Sequence, residues 1–78
     1  MNDEELATPH IEPGHYEHYK GKRYEVLGTA LHTETLEPVV MYKPLYQTNV
    51  SFWVRPYEMF TDKAEHDGRL IPRFRKVD

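Results

Sequence analysis

Residues 13–55 read PGHYEHYKGKRYEVLGTALHTETLEPVVMYKPLYQTNVSFWVR. Short aromatic and β-branched runs are broken by Gly14, Gly21, Gly28, Pro38 and Pro44, at intervals that suit strands and turns better than helices. His15–Lys20 reads as a first strand, and Lys20-Gly21-Lys22-Arg23 as a tight turn in which Gly21 can take positive φ. Tyr24–His32 follows as a second strand. Apolar residues fall on both of its faces, so it should be buried on both sides over part of its length. Gly28 in its middle suits a bulge or a sharp bend. His32–Pro38 is a polar connection, Pro38–Tyr42 a third strand and Ser51–Arg55 a fourth.

Outward from that stretch, Pro56 pre-sets φ for one helical turn over residues 56–60, which should return Met59 and Phe60 to the sheet. Thr61 to Gly68 is polar, and Asp67-Gly68 marks a further turn. Leu70, Ile71 and Phe74 suggest a short last strand, confined to an edge by Pro72. Residues 1–12 carry Asp3, Glu4, Glu5 and Glu12 without a Lys or Arg. They read as a disordered acidic tail, ahead of a domain over 13–75 and a C-terminal end at 76–78. The expectation is an all-β domain: a small SH3-like barrel of about five short antiparallel strands, with an OB-like or open-sheet arrangement as the alternative.

Composition narrows the class. The chain has 78 residues, of which 38% are hydrophobic and 13% aromatic, so large rings more than aliphatics must supply the core. Cysteine is absent, which removes disulfides and thiolate zinc sites as supports. The first residues contain no apolar run of signal-peptide type, and no window approaches the roughly 20 apolar residues of a membrane span. A soluble cytoplasmic protein without a membrane partner is expected. The net charge of −3 supplies no broad basic face for nucleic acid. Arg69, Arg73, Arg75 and Lys76 near the C-terminus act locally at most and read chiefly as a solvated edge.

Several fixed spacings occur together. Pro13-Gly14-x-Tyr16-x-His18-Tyr19-Lys20-Gly21-x-x-Tyr24-x-Val26-Leu27-Gly28-x-Ala30-x-His32-Thr33-Glu34-Thr35 is followed by Val40-x-Tyr42-x-x-Leu45-Tyr46. Trp53-Val54-Arg55-Pro56 then precedes Met59-Phe60. Across about residues 13–74 this pattern resembles the bacterial family called domain of unknown function 1653. Thr33 departs from the serine found there at least as often, though the hydroxyl is kept. The resemblance supports the fold and the boundaries and implies no activity that can be carried over.

Three constellations carry chemistry. In His32-Thr33-Glu34-Thr35-x-Glu37, an imidazole and two carboxylates lie close in sequence, and His18 from the neighbouring strand could join them. Such a set could bind a divalent cation, with His32 and Glu34 as metal candidates, or act as an acid/base pair for hydrolysis. It lacks a spacing such as HExxH. The plainer reading, a turn whose Thr and His side chains bond the backbone, is favoured. The aromatic group Tyr16, Tyr19, Tyr24, Tyr42, Tyr46, Trp53 and Tyr57 exceeds what so small a core can hold. Tyr24, Tyr42 and Trp53 are expected inside, with Trp53 as a core anchor. The remaining rings, with Arg55, would edge a groove. Finally, Lys20, Lys22 and Arg23 around one turn could contact phosphate, although hairpin turns are often basic simply because they are solvated.

The balance favours a non-catalytic binding module over an enzyme. Its ligand would be a peptide, a nucleotide or a nucleic acid. The candidate residues are His18, Tyr19, His32, Glu34, Glu37, Tyr46, Trp53 and Arg55, with no catalytic residue and no cofactor assigned.

Overall fold

The computed structural model describes residues 6–78. The strands are β1 (Gly14–His18), β2 (Arg23–Leu31), β3 (Pro38–Pro44), β4 (Trp53–Pro56), β5 (Lys63–His66), β6 (Arg69–Pro72) and β7 (Phe74–Lys76). One helical turn, α1 (Tyr57–Phe60), lies between β4 and β5. Every strand pairing is antiparallel: five strands form a sheet in the order β4-β3-β2-β1-β7, and β5 and β6 form a separate hairpin. The all-β class is as expected, with 49% strand and 5% helix among the described residues. There are two strands more than the sequence suggested.

One extra strand, β5, comes from the polar segment after α1; the other arises because the expected last strand is two, β6 and β7, parted at Arg73. Lys63–His66 contains one buried residue, Ala64, too weak an apolar signal to stand out. Its hairpin is set by Asp67 and Gly68, with φ of 53° and 77°. Positive φ at both central positions matches the right-handed twist of the flanking strands. Gly28 also acts as its position suggested: the β2–β3 register shifts between Val26 and Gly28, leaving Leu27 as the extra residue of a bulge.

The core consists of rings. Tyr16, Val26, Val40, Tyr42, Phe60 and Phe74 form the buried cluster, and Ile11, Tyr24 and Tyr57 pack against it. Cross-strand partners share a face. The ladder therefore sets Tyr16 beside Tyr24, Val26 beside Tyr42 and His18 beside Phe74. Phe60 from α1 closes the open side of this face and is 1% exposed.

The sheet is strongly curled. In a flat sheet β4 and β7 would lie about 19 Å apart, four strand spacings. Instead the guanidinium carbon of Arg55 on β4 lies 5.4 Å from the ring centroid of Phe74 on β7. Among the described residues no hydrogen-bonded ladder joins those two edges, so side chains close the curl.

Both termini of the described chain touch the sheet. The carbonyls of Pro9 and Glu12 accept bonds from the Thr29 and Tyr16 hydroxyls at 2.9 and 2.8 Å. The Val77 amide donates to the His15 carbonyl, and the His15 amide to Asp78 Oδ1, each at 2.9 Å. Of the disordered tail expected over residues 1–12, residues 1–5 lie outside the described residues, and Pro9 and Glu12 bond the sheet.

Candidate functional site

The candidate residues separate along β2. His18 stands at the β1–β2 hairpin, where Glu17 pairs with Arg23 at the start of β2. His32 follows Leu31, at the other end of that strand. Eight residue steps at about 3.3 Å put the two histidines roughly 25 Å apart. The joint His18–His32 site considered from sequence does not form.

At the far end, His32 builds its own turn. Its Nδ1 accepts from the backbone N–H groups of Glu34 (3.1 Å) and Thr35 (3.3 Å). Its backbone N–H donates to the Glu37 carbonyl at 2.9 Å, and Thr35 Oγ1 accepts from the Glu37 N–H at 3.2 Å. The Glu34 and Glu37 side chains are exposed. Glu37 edges a shallow depression with Pro38, Pro56, Tyr57 and Glu58. Among the described residues no group of three His, Asp or Glu side chains is placed to hold a metal ion.

At the near end the other candidates gather around Phe74. The His18 ring meets Phe74 edge-on at 4.9 Å between centroids and lies 4.6 Å from Tyr19. Arg55 reaches the same Phe74 ring from across the curl, and its Nε donates to the Tyr42 hydroxyl at 3.2 Å. Tyr24 links the group to Tyr46: it contacts Phe74 at 5.8 Å and Tyr46 at 5.6 Å, and the two tyrosine hydroxyls are 3.3 Å apart. Lys22 Nζ lies 4.2 Å from the Tyr46 ring centre and Lys20 Nζ 5.8 Å from that of Tyr19, both in cation–π range. The result is a row of rings edged by cations, drawn from the β1–β2 hairpin, the segment after β3, β4 and β7.

The electrostatics of this mouth are positive. Burial, then Arg55, Arg73 and Lys20, hold the His18 imidazole below the ordinary histidine value. The Lys20 N–H donates to His18 Nδ1 at 3.1 Å, which leaves Nε2 as the donor of the neutral ring. Burial first, then the bond with Tyr46, raise the Tyr24 phenol. Arg73 is neutralised by Asp62, to which Nε and Nη2 donate at 2.6 and 3.1 Å. Arg55 is half-buried and has no carboxylate partner among the described residues.

Trp53 corrects the core expectation. It is 44% exposed, between Phe52 at 61% and Val54 at 59%. With Leu27 and Met41 these residues line an open apolar depression of about 330 Å³. Alternation puts Phe52 and Val54 on the outer face, where Val54 pairs with Met41. Trp53, paired with Tyr42, and Arg55, paired with Val40, share the inner face, yet Trp53 opens the edge strand and stays nearly half exposed.

Residues 14–76 match the model of the family described as "Protein of unknown function (DUF1653)". No curated protein matches the chain. Among solved structures, it is similar to a protein belonging to DUF1653 from Bordetella bronchiseptica. The two are 35% identical with a TM-score of 0.80, over 86% of this chain and 87% of that one.

Proposed function

The chain belongs to the DUF1653 family, and we propose that it acts as a non-catalytic binding module. In this reading a single SH3-like domain over about residues 13–75 presents its mouth to a peptide, nucleotide or nucleic-acid ligand. The contacts come from His18, Tyr19, Tyr46 and Arg55. The observation that carries the reading is the meeting of His18 and Arg55 on one ring, Phe74, from opposite sides of the curled sheet. A half-buried cation beside partly exposed rings is an arrangement that binding surfaces use.

The dispersal of the acid/base candidates supports binding over reaction. His32 Nδ1 is occupied by turn amides, and Glu34 and Glu37 face solvent. General acid–base catalysis needs a proton carrier within hydrogen-bonding reach of the reacting group in a shielded site, and that turn offers no shielding.

The test is an amide-shift titration of the ¹⁵N-labelled full chain with nucleotides, short single-stranded oligonucleotides, proline-rich peptides and divalent cations. At least one organic ligand should shift residues 18–22, 45–46, 55 and 73–74 together. Cation-induced shifts confined to 32–37, with a silent mouth for every ligand, would overturn the proposal.

A further inference from the structure

We propose that the mouth is a nucleotide-unit site, in which Arg55 and His18 take a phosphate group and the Tyr19 or Tyr46 ring takes the base. This rests on the binding-module reading above and names the ligand chemistry for it.

The first argument is a cation without an ion pair of its own. Arg23 and Arg75 both pair with Glu17, and Arg73 pairs with Asp62. Arg55 instead directs Nε to the Tyr42 hydroxyl and lies over Phe74. Nη1 and Nη2 are left without a carboxylate among the described residues. Asp62 feels the Arg55 charge, but its carboxylate is already held by Arg73 through two bonds. A half-buried guanidinium with no ion pair of its own is suited to an oxyanion, which it can engage through two parallel N–H donors.

Donor geometry gives the second argument. With Nδ1 of His18 accepting from the Lys20 amide, Nε2–H is left to donate, and the imidazole packs on the same ring as Arg55. Phosphate can accept from both. Lys20 and Lys22 stand one turn away on exposed positions, where they would add attraction without fixing geometry.

Aromatic surface separates a nucleotide from a bare anion. Tyr19 and Tyr46 are partly exposed rings on either side of the Phe74 cluster, each already partnered by a lysine. Base stacking on such rings tolerates any base. The chain's net charge of −3 opposes a long polyanion, so the match is to one nucleotide or to the end of a strand, not to an extended backbone.

The experiment is an NMR titration of the full chain with AMP, UMP, adenosine, inorganic phosphate and a four-residue oligothymidylate. It follows the Arg55 side chain, the His18 ring and the tyrosine rings in wild type, Arg55→Gln and Arg55→Lys, with melting curves to show that the variants fold. The nucleotides should shift Arg55 and His18 at concentrations at least tenfold below adenosine or phosphate alone. Arg55→Gln should lose this preference tenfold or more, and Arg55→Lys should restore it only in part. Oligothymidylate binding more tightly than UMP would identify a strand end as the source; the reverse order would identify a free nucleotide. If adenosine shifts the mouth as strongly as AMP, the module stands and the phosphate assignment falls. If phosphates move only Lys20 and Lys22, the assignment falls as well. A mouth silent to every ligand overturns both. Should Arg55→Gln fail to fold, the wild-type ranking of AMP against adenosine and phosphate decides alone.

Discussion

Phe74 lies flat against Phe60, with ring centroids 4.0 Å apart and planes 5° from parallel. This contact joins the last strand of the sheet to the helical turn, and around it Tyr16, Tyr42 and Tyr24 meet the two rings edge-on. Removing either ring leaves a cavity that the surrounding tyrosines cannot fill. Phe60→Ala should cost about 3–5 kcal/mol, against a total of about 5–15 kcal/mol for a native domain. Thermal and urea melts should show it largely unfolded or close to it.

Trp53 should behave differently. Its indole is nearly half exposed, so Trp53→Ala should cost less than about 2 kcal/mol. A melting temperature lowered as far as in Phe60→Ala would show that the tryptophan is buried after all.

Much of the main sheet was legible in residues 13–55. The alternating rings of β1 and β2, the bulge at Gly28 and the helical turn after Pro56 all follow from local pattern. The Asp67-Gly68 turn and the strand after it were also legible, but β5 was not, because Lys63–His66 has a single small buried residue and is held by its turn and by Asp62–Arg73. A curled sheet was expected, but the contact that spans it was hidden: Arg55 meets Phe74, 19 residues away in sequence, and no spacing announces it. The His32–Glu37 cluster misleads in the opposite way: its residues are close in sequence because they build one turn.

The β5–β6 turn offers a local test. Gly68 has φ of 77°, a conformation costing a residue with a Cβ about 1–2 kcal/mol. Nothing lies within 4 Å of the added atom, so Gly68→Ala should destabilise by about 1 kcal/mol through backbone strain alone. Asn at this position should recover part of the loss. Equal stability of the Ala and Gly proteins in urea melts would contradict the turn geometry.

His32 should matter to its turn and not to ligands. His32→Ala removes an acceptor for two backbone N–H groups, a loss of about 0.5–1.5 kcal/mol, and Asn should restore some of it as a turn-forming acceptor. Glu34→Gln and Glu37→Gln should leave ligand affinity within twofold of wild type. A larger change from either, measured by the same amide-shift titration, would return the 32–37 turn to consideration as a site.

Stability should decline on mild acidification. His18 is held below its ordinary value in the folded state by burial and three cations. The unfolded chain therefore takes up the proton first, and the contribution is lost as pH falls from about 6.5 through the folded value. Asp62, depressed by its bond to Arg73, adds a second loss below the ordinary carboxylate range. His18→Gln should flatten the upper part of the profile in urea melts taken from pH 7.5 to 4. A profile unchanged by that substitution would show that His18 is not under this pressure.

The most direct test of the mouth is the proton titration of the His18 ring with and without 10 mM AMP. Burial, with Tyr19 and Phe74 packed on the ring, and then Arg55, Arg73 and Lys20 disfavour the imidazolium in the free protein. A phosphate seated between Arg55 and His18 must reverse that balance, because a nearby opposite charge favours the protonated form. The His18 value should rise with AMP in wild type and stay put in Arg55→Gln. A His18 curve unmoved by AMP in the wild-type protein, or moved equally in both, would contradict the placement of phosphate at this mouth.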